Sequence, residues 1–229
     1  MAARGDLVRR AGRSRVRAQK GAVEQLYTAA PADSVVVCLD EMGPQASKSY
    51  PGQRLLKPAG PRAERARQEI DYGRRDVAGY VFGALQPATG IAFTTTYERR
   101  TTANWVHFLE QAESWIAPEA ERVYAVVDNL NIHAGMDVLL FALAHSRWEF
   151  VFQPKYAAYL NLIEPWWKVL RSLALKGRRC DAWAEIEQAV ARATAYWNQH
   201  KHPFIWGRRR RHRTPRRLGV AGPPNVTLF

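Results

Sequence analysis

Two short apolar runs, each closed by an aspartate, constrain this chain more than any other feature. Ser-Val-Val-Val-Cys-Leu precedes Asp40, and Arg-Val-Tyr-Ala-Val-Val precedes Asp128. Runs of this length, rich in β-branched residues, read as buried strands and not as helices. In α/β sheets, ligands gather just beyond the C-terminal ends of such strands. If the two strands are neighbours, both carboxylates project into one small volume, where they repel each other unless a cation sits between them.

The rest of the chain supplies the partners of these strands. Residues 22–30 read as a short helix or linker stopped by Pro31, and 41–75, with Gly, Pro and eight basic residues, as a long functional loop. Residues 77–85 and 91–97 are β-rich runs joined by Gln-Pro-Ala-Thr-Gly, a hairpin with a longer loop. Thr102 is expected to cap a helix to about residue 116, with Trp105, Phe108, Leu109, Ala112 and Ile116 on one face. A second helix over 135–145 draws apolar bulk from Val138, Leu139, Phe141, Ala142 and Leu143, and Trp148–Phe152 forms the last strand. A third helix covers 161–175, with Pro165 tolerable near its first turn. A fourth runs from an Asp181 cap to about 199, its Ile186, Ala189, Val190, Ala193 and Trp197 recurring at core spacing. The order β, β, β, α, β, α, β, α plus an extra C-terminal helix implies a mixed five-stranded α/β sheet flanked by helices, the ribonuclease H-like arrangement.

Charge identifies the class of partner. The formal net charge is +13 and the pI about 10.2, but residues 1–20 contribute +6 and 201–229 contribute +8, leaving 21–200 at −1. A near-neutral domain with two Arg-rich tails points to a polyanion, with phosphate neutralisation by the tails; the competing reading is two solvated tails. Cys38 and Cys180 cannot build a disulfide framework or a Cys-based zinc site. No run approaches the ~18 apolar residues of a membrane span, and the basic N-terminus lacks the apolar region of a signal peptide. These features give a cytoplasmic, nucleoid-associated protein as the expectation. Three segments follow: a basic arm and linker over 1–30, a catalytic domain over 31–206, and a basic tail over 207–229.

Residues 21–200 hold twenty acids, so position has to select among them. Asp40 and Asp128 are chosen as strand-end acids, and Glu164 because it opens the helix after the last strand. Taken singly, each Asp is more often a turn or cap residue. Glu164 alone reads either as a first-turn acid favoured by the helix dipole or as a partner of Lys168. Together they suit Mg2+, which takes carboxylate and water oxygens, and two such ions about 4 Å apart can stabilise an in-line phosphoryl displacement.

Four stretches carry a resemblance to a known family. They are Cys-Leu-Asp-Glu-Met-Gly at 38–43, Val-Asp-Asn-Leu-Asn-Ile-His at 127–133, the segment from Pro154 through Glu164 to Lys168, and His-Pro-Phe-Ile-Trp at 202–206. They resemble the IS630 group of bacterial insertion-sequence transposases, relatives of the Tc1/mariner elements. The third stretch is similar to the family's Asn-Pro-Ile-Glu signature around its catalytic Glu, with Leu162 in place of the commoner Pro. Asp128 and Glu164 have 35 residues between them, close to the spacing of the family's acidic triad.

The resemblance, covering roughly 22–206, implies a ribonuclease H-like DDE catalytic domain with Asp40, Asp128 and Glu164 as catalytic and metal-binding residues. It implies two Mg2+ or Mn2+ ions, DNA cleavage followed by strand transfer, and TA target sites. The expected partners are element ends and target DNA, a homodimer or higher synaptic assembly, and an upstream helix-turn-helix polypeptide, since residues 1–30 are shorter than that module. Asn129, His133, Lys155, Asn161, Lys168 and Arg171 are further candidates for DNA contact or support of the site; for His133 a structural hydrogen bond is an equal alternative. Glu41 is expected on the opposite sheet face, Lys176, Arg178 and Arg179 along the DNA path, and Tyr156, Tyr159, Trp166 and Trp167 as stacking surfaces for unpaired bases, with core packing the better reading for at least one Trp. Two alternatives stand beside this reading: a ribonuclease H-like nuclease without strand transfer, and a truncated, inactive DNA-binding remnant.

Overall fold

A central strand of thirteen residues organises the sheet. In the computed structural model, which describes residues 2–50, 78–133 and 135–207 (side chains from residue 16 onward), β1 (Ser34–Ala46) pairs on both sides. Strands β2 (Ala78–Leu85) and β3 (Ala92–Tyr97) continue antiparallel on one side, and β4 (Arg122–Val127) and β5 (Trp148–Phe152) parallel on the other. The order β3-β2-β1-β4-β5 is the expected mixed five-stranded sheet.

Period-two alternation divides the core between the two faces. Val37, Leu39, Phe82, Ala84, Val123, Ala125 and Val127 face α2 (Thr102–Trp115), whose Trp105, Phe108, Leu109 and Ala112 are buried against them. Cys38, Met42, Val81, Leu85 and Val126 face α4 (Ile163–Ala174) and α5 (Trp183–His200). Trp105, Phe108 and Trp166 are fully buried, and removal of a ring of this size costs about 3–5 kcal/mol. Helix α5 also docks by polar contacts: Asn198 donates to the Ala92 carbonyl and accepts from its amide, and Trp197 Nε1 donates to the Gly90 carbonyl. Gly90 has φ +74 and sits against the His202 backbone, where a Cβ would clash.

Several boundaries differ from expectation. The helix expected within 22–30 is the end of α1 (Ala2–Ala29), so most of the supposed arm is helical. Strand β1 continues past Asp40 to Ala46, absorbing the start of the expected loop. The remainder of that loop, 51–75, and the tail from 208 onward lie outside the described residues. The cap of α2 is Thr101, whose side chain accepts from the Asn104 amide, one residue before the expected Thr102. Ala182, not Asp181, occupies the cap of α5; Asp181 instead pairs with Arg179. Helix α3 (Met136–Ala144) buries only Val138 and Phe141, leaving Leu139 and Leu143 exposed with Met136 and Leu140. Both cysteines are free and buried. Among the described residues no helix is long and apolar enough to cross a membrane.

Candidate active site at the ends of two parallel strands

Strand register sets the first relationship in the site. The parallel ladder between β1 and β4 ends at Cys38 opposite Val126, and Asp40 and Asp128 each lie two residues further on. Adjacent strands are about 4.8 Å apart where they pair, so the chain at Asp40 and at Asp128 leaves neighbouring strands at the same end of the sheet. Asp40 is not the end of its strand: it remains paired with Gly83 of β2. That second pairing keeps its backbone rigid after β4 has turned away.

Two asparagines finish the ladder at this end. Asn161 Nδ2 donates to the Leu39 carbonyl at 3.0 Å, and Asn129 Nδ2 donates to the Gln153 carbonyl just beyond β5. These bonds satisfy backbone groups that the sheet no longer pairs. Both asparagines, expected near DNA or in support of the site, hydrogen-bond to backbone carbonyls at this end of the sheet.

Helix α4 brings the third acid. Glu164 lies in its first turn, and Trp167, three residues on and on the same face, donates from Nε1 to Asp40 Oδ2 at 2.9 Å. Burial pushes the Asp40 carboxyl up to about 7; the charges of Glu41 and Glu164 act in the same direction, against the Trp167 hydrogen bond. Asp40 and Glu164 are therefore within electrostatic reach of each other.

Asp128 has the opposite environment. Burial works against its charge, but hydrogen bonds from His133 and the Leu130 amide, both to Oδ1, hold its carboxyl below the usual range. His133 Nδ1 donates to that oxygen at 2.8 Å, and Nε2 donates to Glu41 Oε1 at 2.7 Å. Desolvation disfavours the imidazolium, yet the two carboxylates outweigh it and raise its pKa to about 9. The His133 ring packs on Trp105 with centroids 4.1 Å apart, and neither the His133 nor the Glu41 side chain is exposed. For His133 the structure gives the structural hydrogen bond. Glu41 Oε2 is buried without a hydrogen-bond partner among the described residues.

The remaining candidates divide by exposure. Lys155, Lys168, Tyr156 and Tyr159 are exposed and accessible to a polymer. Lys168, Arg171 and Lys176 line a cavity of about 440 Å3 with Gln45, Tyr50 and Leu175, and Arg171 Nε also contacts Met42 Sδ. Trp166 and Trp167 are buried, so neither can stack on a base. Sequence reasoning missed the role of the Trp167 N–H and the Glu41 partnership. The spacing 164/167 and the alternation 39/41 on β1 are the signals that point to them.

The donor set fits a hard divalent cation: carboxylate oxygens, with the charges of Glu41 and Glu164 acting on Asp40. Among the described residues, no three His, Cys, Asp or Glu side chains converge closely enough to hold an ion together.

A family model described as DDE superfamily endonuclease matches residues 35–187. The insertion element IS630 uncharacterized 39 kDa protein of Shigella sonnei is 21% identical over 111 residues, 48% of this chain and 32% of that protein. Among solved structures, the Mos1 transposase paired-end complex with left transposon end aligns with TM-score 0.58 and 15% identity over 83% of this chain and 55% of that one. The mariner Mos1 paired end complex with Mg aligns at 0.54 and 16% identity, over 83% and 57%. The chain thus spans about a third of the IS630 protein and somewhat over half of the Mos1 chains. At these identities the structural likeness speaks for the fold, and it agrees with the ribonuclease H-like sheet expected from sequence. Matched over 35–187, the chain belongs to the DDE superfamily endonucleases, and within them it resembles the IS630 and mariner transposases.

Proposed function

We propose that this chain is the catalytic core of a DNA transposase, cutting DNA at element ends and joining the freed ends to a target. The observation that carries the reading is that Asp40 and Asp128 each lie two residues beyond the last register pair of the neighbouring parallel strands β1 and β4, with Asp40 hydrogen-bonded to the helix that carries Glu164 in its first turn. In support, the Mos1 structures include a complex with a transposon end and complexes with Mg and with Mn.

Asp40, Asp128 and Glu164 are assigned the binding of two Mg2+ or Mn2+ ions. Such ions supply charge neutralisation at the reacting phosphate and lower the pKa of a water nucleophile. The chain's own groups do the positioning. Asp40 is held at Oδ2 by Trp167 and Asp128 at Oδ1 by His133. Lys155, Lys168 and Arg171 are assigned to DNA phosphates, which fix register and carry no sequence information. In the first step water attacks a phosphodiester at the element end, leaving a 3′-hydroxyl and a 5′-phosphate. In the second, that hydroxyl forms a new phosphodiester with target DNA as a target P–O3′ bond breaks. Partners in this reading are the element ends, the target, a second copy of the chain in a synaptic assembly, and a helix-turn-helix polypeptide.

A joining assay tests the proposal. A labelled duplex ending in the element's terminal repeat with a free 3′-hydroxyl is incubated with the full chain, target plasmid and Mg2+. Covalent transfer of label to plasmid is expected. Hydrolysis without transfer would support the nuclease reading instead, and absence of both would support the inactive remnant.

A further inference from the structure

We propose that Trp167 is a positioning residue for the metal centre, its indole N–H clamping Asp40 to the helix that carries Glu164. The proposal rests on the reading that Asp40 holds a divalent cation. Trp167 Nε1 reaches Asp40 Oδ2 at 2.9 Å, from a position three residues after Glu164 in α4. An indole N–H is a donor only and does not titrate, so it can fix one carboxylate oxygen without competing for a cation at the other. The same bond ties an acid on the central strand to the helix bearing the third acid, and so sets the separation of the two.

The sequence makes room for this arrangement at one place. Gly83 is the register partner of Asp40 on β2. A Cβ there would lie 2.4 Å from Trp167 Cη2, 3.0 Å from Cζ2 and 3.2 Å from Ile163 Cδ1. The bare backbone at Gly83 is the seat of the ring, beside the acid that the ring holds.

Core filling alone is the competing explanation, and Trp166 separates the two. It precedes Trp167, is fully buried, and packs on it with ring centroids 5.0 Å apart. Its Nε1 has no hydrogen-bond partner among the described residues. Both rings fill the same core, and Trp167 alone of the two donates to the acid.

The test is a titration of the full chain with Mn2+ alone, free ion being read by electron paramagnetic resonance. Loss of a hydrogen bond that orients a metal ligand weakens affinity about 10–100-fold. Trp167→Phe is expected to show that loss, while Trp166→Phe, the matched core truncation, stays within about twofold of wild type. Wild-type affinity in Trp167→Phe, with binding that still requires Asp40, overturns the clamp alone. Equal binding by wild type and Asp40→Asn overturns the metal reading and the clamp with it. If Trp167→Phe does not fold, Gly83→Ala, which pushes the ring off its seat, is expected to show the same loss, and retained affinity there overturns the proposal.

Discussion

Glu41 and His133, 92 residues apart in the chain, share a 2.7 Å hydrogen bond with neither side chain exposed to solvent. On its other side His133 holds Asp128, so one imidazolium joins the central strand to the acid at the end of β4. Removing one partner of a buried charge pair leaves the other uncompensated, at a cost of about 3–5 kcal/mol. Glu41→Ala is expected to lower the unfolding free energy by about that amount. His133→Ala should cost a similar amount, and the double variant less than the sum, because the two remove one interaction. Urea denaturation of the four proteins measures it.

The pH dependence of stability follows from the two shifted groups. His133 is raised to about 9 from an ordinary 6.5, so its contribution is fully present below about pH 6.5 and is lost as pH rises through about 9. Asp40 is raised to about 7 from 3.8, so the folded chain retains a proton that the unfolded chain has released. Stability should therefore fall between about pH 4 and 7 on account of Asp40. In chelator at pH 8, Asp40→Asn is expected to melt above wild type. Addition of Mg2+ should raise the melting temperature of wild type and leave the variant unmoved. Equal shifts in both would remove Asp40 from the metal site.

Legibility of the fold differed between elements for physical reasons. The strands and their succession along the chain could be read because short β-branched runs have few alternatives, and the core face of α2 because its apolar spacing is strict. Helix α3 misled: nearly all of its residues are apolar, so periodicity could not separate its inner face from its outer one. Leu139→Ser and Leu143→Ser, at exposed positions, should change the melting temperature little, whereas Phe141→Ala should cost about 3–5 kcal/mol. Circular dichroism melts of the three variants decide it.

The placement of Asp128 just after β4 and of Glu164 in the first turn of α4 was legible because a strand end and a helix start are positions a sequence can mark. Their supporting contacts were not: Trp167 to Asp40 spans 127 residues and Glu41 to His133 spans 92, and no local pattern encodes which buried N–H finds which carboxylate. For the aromatic pair at 166–167 the sequence leaves both base stacking and core packing open, because composition cannot distinguish a buried indole from an exposed one; both rings are buried. The helical spacing from Glu164 was the available clue.

Charge at the C-terminal end makes a separate prediction. Residues 208–229 carry seven arginines and no acid. Each phosphate neutralised contributes about −0.9 to the slope of log affinity against log salt. Deleting 208–229 is expected to make the slope for duplex DNA shallower by several units, read by fluorescence anisotropy across a salt series. An unchanged slope would take the tail out of the DNA interface.

The most direct measurement is Mg2+-dependent cleavage of DNA containing the element end by the wild-type chain and by Asp128→Ala and Glu164→Ala. Loss of either acid should lower the rate by about 10^3-fold, roughly 4 kcal/mol of transition-state stabilisation, with melting of the apo proteins confirming that both variants fold. Cleavage by either folded variant at the wild-type rate would contradict the account.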